Sequence, residues 1–167
     1  MAIIRGKFSG IRIWLAVGLI CLAAGCGGSF FSYQGRTVPL DQRIELKPGS
    51  SGPQQWTTAD LTLTYTYIME NGRIGISGAA DLAERYQYTF HAVENFFLSV
   101  HFLDPEGRVQ KSIRLVSSEY YAPIQQMKFN RHYSLPPGTT SVTFSYRGAL
   151  VEGGTDRTGW NFWHNPF

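Results

Sequence analysis

The sequence predicts an all-β fold, an antiparallel β-sandwich of about seven or eight strands, immunoglobulin-like or jelly-roll-like in strand order. Three observations point there. Apolar and polar residues alternate with period two along several short segments, Gly- and Pro-rich turns separate those segments, and no stretch of about ten residues carries a clear helical period.

Taken in order, Ile44 and Leu46 make a short strand ending at Pro48-Gly49, and Lys47 to Gln55 (KPGSSGPQQ) reads as an exposed loop. Leu61, Leu63, Tyr65 and Tyr67 then alternate with Thr62, Thr64 and Thr66, residues suited to a half-buried pleated surface. Asn71-Gly72 supplies the positive backbone angles of a tight hairpin, after which Ile74 and Ile76 resume the alternation. Ala79 to Glu84 is the one helix candidate, and Tyr86, Tyr88 and Phe90 read as the next strand. Phe96, Leu98, Val100 and Phe102 share one face and Phe97, Ser99, His101 and Leu103 the other, which suits a central strand apolar on both sides. Asp104-Pro105-Glu106-Gly107 is a turn with Pro in its second position and Gly in its fourth, and Val109, Ile113 and Leu115 return from it. Met127, Phe129, Arg131 and Tyr133 precede a turn at Pro136-Pro137-Gly138, and Val142, Phe144 and Tyr146 alternate with Ser141, Thr143 and Ser145 beyond it.

Composition narrows the function. The chain is 43% hydrophobic, 14% aromatic and 16% charged, which fits one globular domain and excludes a disordered tail. Its formal charge of +3 comes from Arg5, Lys7 and Arg12, and the remainder balances 12 basic against 12 acidic residues. A neutral remainder lacks the clustered cations that neutralise phosphates, so nucleic acid is not an expected partner.

The amino terminus has the organisation of an export signal. A positive segment, residues 1–12, precedes the apolar run Ile13 to Leu22, and the small residues Ala23, Ala24 and Gly25 lead into Cys26. The run falls short of the roughly 20 residues a transmembrane helix needs. Leu22-Ala23-Ala24-Gly25-Cys26 resembles the lipobox of bacterial lipoproteins, a resemblance confined to the export signal. That class prefers leucine three residues before the cysteine, where this chain has Ala23 and places Leu22 one position earlier. The resemblance implies that residues 1–25 are a removable lipoprotein signal peptide and that Cys26 carries a diacylglycerol and a further acyl chain. It also implies that residues 26–32 are a short tether to a β-sandwich domain at 33–167. Gly27 after the cysteine implies the outer membrane of a two-membrane bacterium. Thiol chemistry agrees, because no cysteine follows Cys26 to pair with it, and acylation consumes the odd thiol.

Residues capable of further chemistry are few. The four histidines, His91, His101, His132 and His164, show no HxH, HxxxH or HExxH spacing, so neither a metal nor any cofactor beyond the covalent lipid is expected. A hydrolase would need Glu94, His101 or Asp104 to share a pocket; no GxSxG occurs, and Glu106 sits in a turn. Glu152-Gly153-Gly154-Thr155-Asp156 has oxygen donors but not the dense acidic spacing of calcium loops. Aromatics are in surplus. Trp56, Trp160, Trp163, Tyr120 and Tyr121 are the candidate ligand- or partner-binding residues, as a platform for a sugar face or a hot spot for a protein. The competing arrangement makes the carboxyl-terminal segment the last strand, with Trp160 and Phe162 buried and Trp163 at a sheet edge. The expectation is therefore a lipid-anchored, non-catalytic binding or assembly module for another envelope component, with carbohydrate binding and then hydrolysis as the alternatives.

Overall fold

The computed structural model describes residues 33–153 and 159–167. The segments expected to be the signal peptide and the tether, Cys26 among them, lie outside the described residues, as do Gly154, Thr155 and Asp156. Among the described residues ten strands form: β1 (Ile44–Glu45), β2 (Gly49–Ser50), β3 (Gln54–Thr57), β4 (Leu61–Glu70), β5 (Arg73–Leu82), β6 (Ala92–Leu103), β7 (Val109–Tyr121), β8 (Met127–Ser134), β9 (Ser141–Val151) and β10 (Gly159–His164). One helix, α1 (Glu84–Thr89), joins β5 to β6.

The strands make two antiparallel sheets, as the alternation predicts. The front sheet runs β1-β9-β6-β7 with β10 also paired to β9, and the back sheet runs β2-β4-β5-β8 with β3 also paired to β4. Leu98, Val100 and Phe102 of β6 and Val142, Phe144 and Tyr146 of β9 are buried against Leu61, Leu63, Tyr65, Ile74 and Ile76 of the back sheet. The Tyr65 and Phe144 rings meet edge to face across the two sheets at 5.1 Å. Burial on this scale, at about 25 cal/mol per Å² of apolar surface, supplies the main stabilising term in a domain with no internal disulfide.

The two turns read from the sequence are built as expected. Asn71 (φ 51°) and Gly72 (φ 69°) close the β4–β5 hairpin with Glu70 opposite Arg73. Gly107 donates its backbone N–H to the Asp104 carbonyl at 2.9 Å, closing the turn between β6 and β7.

Three local expectations are corrected. The segment expected to carry a Tyr86–Phe90 strand is helical instead: Tyr86 and Phe90 are also four residues apart, and one helical turn sets both rings on the same side, 6.0 Å apart, with Tyr86 buried. The expected helix from Ala79 to Glu84 is mostly strand, because Ala79 to Leu82 complete the ladder with Leu61 to Thr64 and no propensity outweighs those backbone hydrogen bonds. The expected loop at Lys47 to Gln55 contains β2 and the start of β3, both laid on the free edge of β4. Those two strands bring the count to ten rather than seven or eight.

Candidate functional site

The five aromatic candidates do not form one platform. Trp56 faces inward from β3 and packs on Phe144 (5.4 Å), Tyr146 (6.1 Å) and His164 (5.2 Å), so its ring bridges the sheets rather than meeting a ligand. On β10, Phe162 is buried, but Trp160 is 57% exposed and not buried as the last-strand arrangement expected. It is the second residue of β10, opposite Leu150 of β9. Trp163 is 69% exposed on the opposite face of β10, across from Arg147. Tyr120 and Tyr121 project to opposite faces of β7, three strands away from β10.

The hydrolase candidates are also apart. Glu94 lies near the start of β6, His101 toward its end and Asp104 in the following turn, a run of about 30 Å along an extended strand. Among the described residues no group of three or more His, Cys, Asp or Glu side chains is placed to hold a metal ion. No helix among them is long and apolar enough to cross a membrane.

The outer face of the front sheet is divided in two. One half is closed by a flap made from the two ends of the domain. Val38, Leu103 and Val109 form a small second core there, with Tyr33 and Phe167 packed against it. Thr37 bridges Arg108, and Val38 donates its backbone N–H to the Gly107 carbonyl at 2.9 Å, which fixes the flap to the β6–β7 turn. Tyr33 stacks on Phe167 at 4.7 Å, and both rings meet the His101 imidazole edge to face, at 5.2 and 5.1 Å. His101 is fully buried, its Nδ1 2.7 Å from the Ser112 hydroxyl and its Nε2 2.7 Å from the Ser145 hydroxyl. Burial pushes its pKa down to about 4, so the ring is neutral at neutral pH, with a donor and an acceptor that two hydroxyls can match. The same flap explains why Ser141, Thr143 and Ser145, the polar half of the β9 alternation, are buried rather than wet.

The other half is open. Phe97 of β6 pairs with Ser117 on one side and with Arg147 on the other, and Arg147 pairs in turn with Trp163. The Arg114 guanidinium lies 4.2 Å and the Arg147 guanidinium 4.9 Å from the centre of the Phe97 ring. Each such contact contributes about 0.5–1 kcal/mol at an exposed site and holds a flexible arginine in place. Arg114 pairs with no carboxylate among the described residues. Tyr120, 56% exposed, stands one row further along, opposite Glu94. The resulting strip carries Trp163, Phe97, Tyr120 and two oriented arginines. Sequence reading found Trp163 and Tyr120 but missed Phe97, Arg114 and Arg147, because only the cross-strand register shows that they are neighbours.

A second polar cluster lies between the sheets. Tyr86 and Tyr146 donate their hydroxyls to the two oxygens of Asp60, at 2.6 and 2.9 Å. With its one proton committed, Tyr146 accepts from the Thr58 hydroxyl at 2.7 Å. Arg85 reaches Asp60 at 3.4 Å and the Ala59 carbonyl at 2.7 Å. Burial raises the Tyr146 pKa well above the usual phenol value. These bonds tie α1 and β9 to the β3–β4 turn, with the Arg85 side chain partly exposed at the rim.

Compared with family models, characterised proteins and solved structures, the chain finds no match in any of the three.

Proposed function

We propose that the chain is a membrane-anchored bacterial envelope lipoprotein whose sandwich is a non-catalytic binding module for another envelope protein. The observation that carries the binding role is the open half of the front sheet, where Trp163, Tyr120 and two arginines held on Phe97 share one exposed strip. Trp, Tyr and Arg are the residues that dominate binding energy at protein interfaces, and arginines pre-oriented by an aromatic ring lose less side-chain freedom on docking. The Leu22-to-Cys26 sequence supports the anchor. An acylated Cys26 holds the domain at a membrane surface, where a raised local concentration lets a modest interface be populated.

Two measurements test this reading. Metabolic labelling with a palmitate analogue is expected to mark the wild-type chain and not Cys26→Ser, and Cys26→Ser is expected to leave the membrane fraction. A photo-crosslinker at Trp163 is expected to join the chain to one defined envelope protein, with the yield falling at least fivefold in Arg114→Ala. Labelling of both forms would remove the anchor, and crosslinking that ignores Arg114→Ala would remove the interface.

A further inference from the structure

We propose that the outer face of the back sheet holds a separate binding site for a neutral saccharide. An open trough of about 430 Å³ runs there along β5, within the size range of small-ligand sites. Its floor is low because β5 carries Gly75 and Ser77 in the middle of the sheet, flanked by Thr66 and Ile68 of β4 and by Asn130 and His132 of β8. The register sets these groups in rows: Thr66, Ser77 and Asn130; then Ile68, Gly75 and His132; then Glu70 and Arg73 at the hairpin end. Three strands about 4.8 Å apart and rows about 6.6 Å apart give a field of roughly 10 by 13 Å, which is the footprint of one or two sugar rings.

The lining chemistry selects the ligand. The Asn130 amide, the His132 ring and the Thr66 and Ser77 hydroxyls can each both donate and accept, as sugar hydroxyls do. Thr66 and Ser77 bond to each other at 3.1 Å and keep further capacity, whereas the side chains of Asn130, His132, Glu70 and Arg73 make no hydrogen bond or ion pair within the described residues. Glu70 and Arg73 cancel in charge, so nothing here favours an anion or a cation. The His132 ring leans over Gly75, its Cδ2 3.0 Å and Nε2 3.1 Å from where a β-carbon would sit. With Ile68, 52% exposed, it gives the trough a small apolar surface for the C–H face of a ring. No sheet edge opens into the trough's floor, so it does not offer the main-chain pairing that an extended peptide uses.

Gly75→Val is the decisive variant, because valine suits a strand and must push aside the His132 ring that leans over this position, changing the trough's lining. Saturation-transfer NMR on the purified full-length chain, in a sugar-free zwitterionic detergent, would use chitotriose, cellotriose and maltotriose as probes, with a tri-alanine peptide as the competing occupant. Transfer to at least one trisaccharide is expected at millimolar concentration. The apparent Kd should rise at least tenfold in Gly75→Val and in Asn130→Ala, and stay unchanged in Trp163→Ala and Arg114→Ala. No transfer to any trisaccharide, transfer to the peptide alone, or binding that survives both trough variants would overturn the site. If Gly75→Val fails to melt cooperatively, Asn130→Ala alone decides, since its amide has no internal partner to lose. Loss of sugar binding in Trp163→Ala would assign the sugar to the front sheet instead.

Discussion

His101 combines a titratable ring with complete burial, and the consequence for stability has a definite sign. Its folded pKa of about 4 lies below the usual 6.5, so between these values the unfolded chain binds the proton and the folded chain does not. Stability is full above pH 6.5, declines as pH falls toward 4 and levels off below it. The loss is on the order of 3 kcal/mol, taken at about 1.4 kcal/mol per pH unit. His164, whose pKa burial also lowers, adds a contribution of the same sign. Urea unfolding of wild type between pH 7 and 4 is expected to show this decline, and His101→Gln to show a clearly shallower one. At this scale the sequence was informative about type and poor about environment. The hydrophobic alternation of β6 put His101 on the face opposite Phe96 and Phe102, but nothing local announced that Tyr33 and Phe167, from the two ends of the domain, would close over it. The inward Trp56, and the burial that the last-strand arrangement gave Trp160, were misjudged for the same reason: exposure of a strand aromatic depends on what the opposing sheet covers, which lies far off in sequence.

Strands and turns were the most legible level. Period-two alternation located seven of the ten strands, and Asn71-Gly72 and Asp104 to Gly107 fixed two hairpins, because each is dictated by backbone angles within a few residues. The Tyr86 to Phe90 segment escaped because residues at i, i+2 and i+4 fit a strand and a helical turn alike. The strip of Phe97, Arg114, Arg147 and Trp163 escaped because pairing across β7, β6, β9 and β10 is set by register, with bulges in β6 that no local signal reveals. The flap makes its own prediction. Phe167→Ala removes one of the two rings over His101, admits water and weakens the second core, at a cost of about 2 kcal/mol. The His101 imidazole, followed by NMR, should then titrate with a midpoint well above 4 and closer to 6.5. An unchanged midpoint would mean that Tyr33 alone keeps the site dry.

For the molecule as a whole, one detail of the back sheet bears on what happens when many copies meet at high concentration. β8 is an outer strand of its sheet, with a free row of backbone donors and acceptors, and Arg131 stands exposed on its inner side, opposite Ile76 and in line with the buried Met127 and Phe129. A second chain adding itself to this margin would have to bury the guanidinium without a counter-charge, and a symmetric pairing would set two of them together. The arginine is therefore expected to guard against strand-by-strand self-association, a hazard that grows with protein concentration. Arg131→Ile is expected to leave the melting temperature of dilute protein within a few degrees of wild type while promoting thioflavin-positive aggregates at high concentration. Equal aggregation of the two forms would show that the edge is protected by the shape of the loops around it and not by charge.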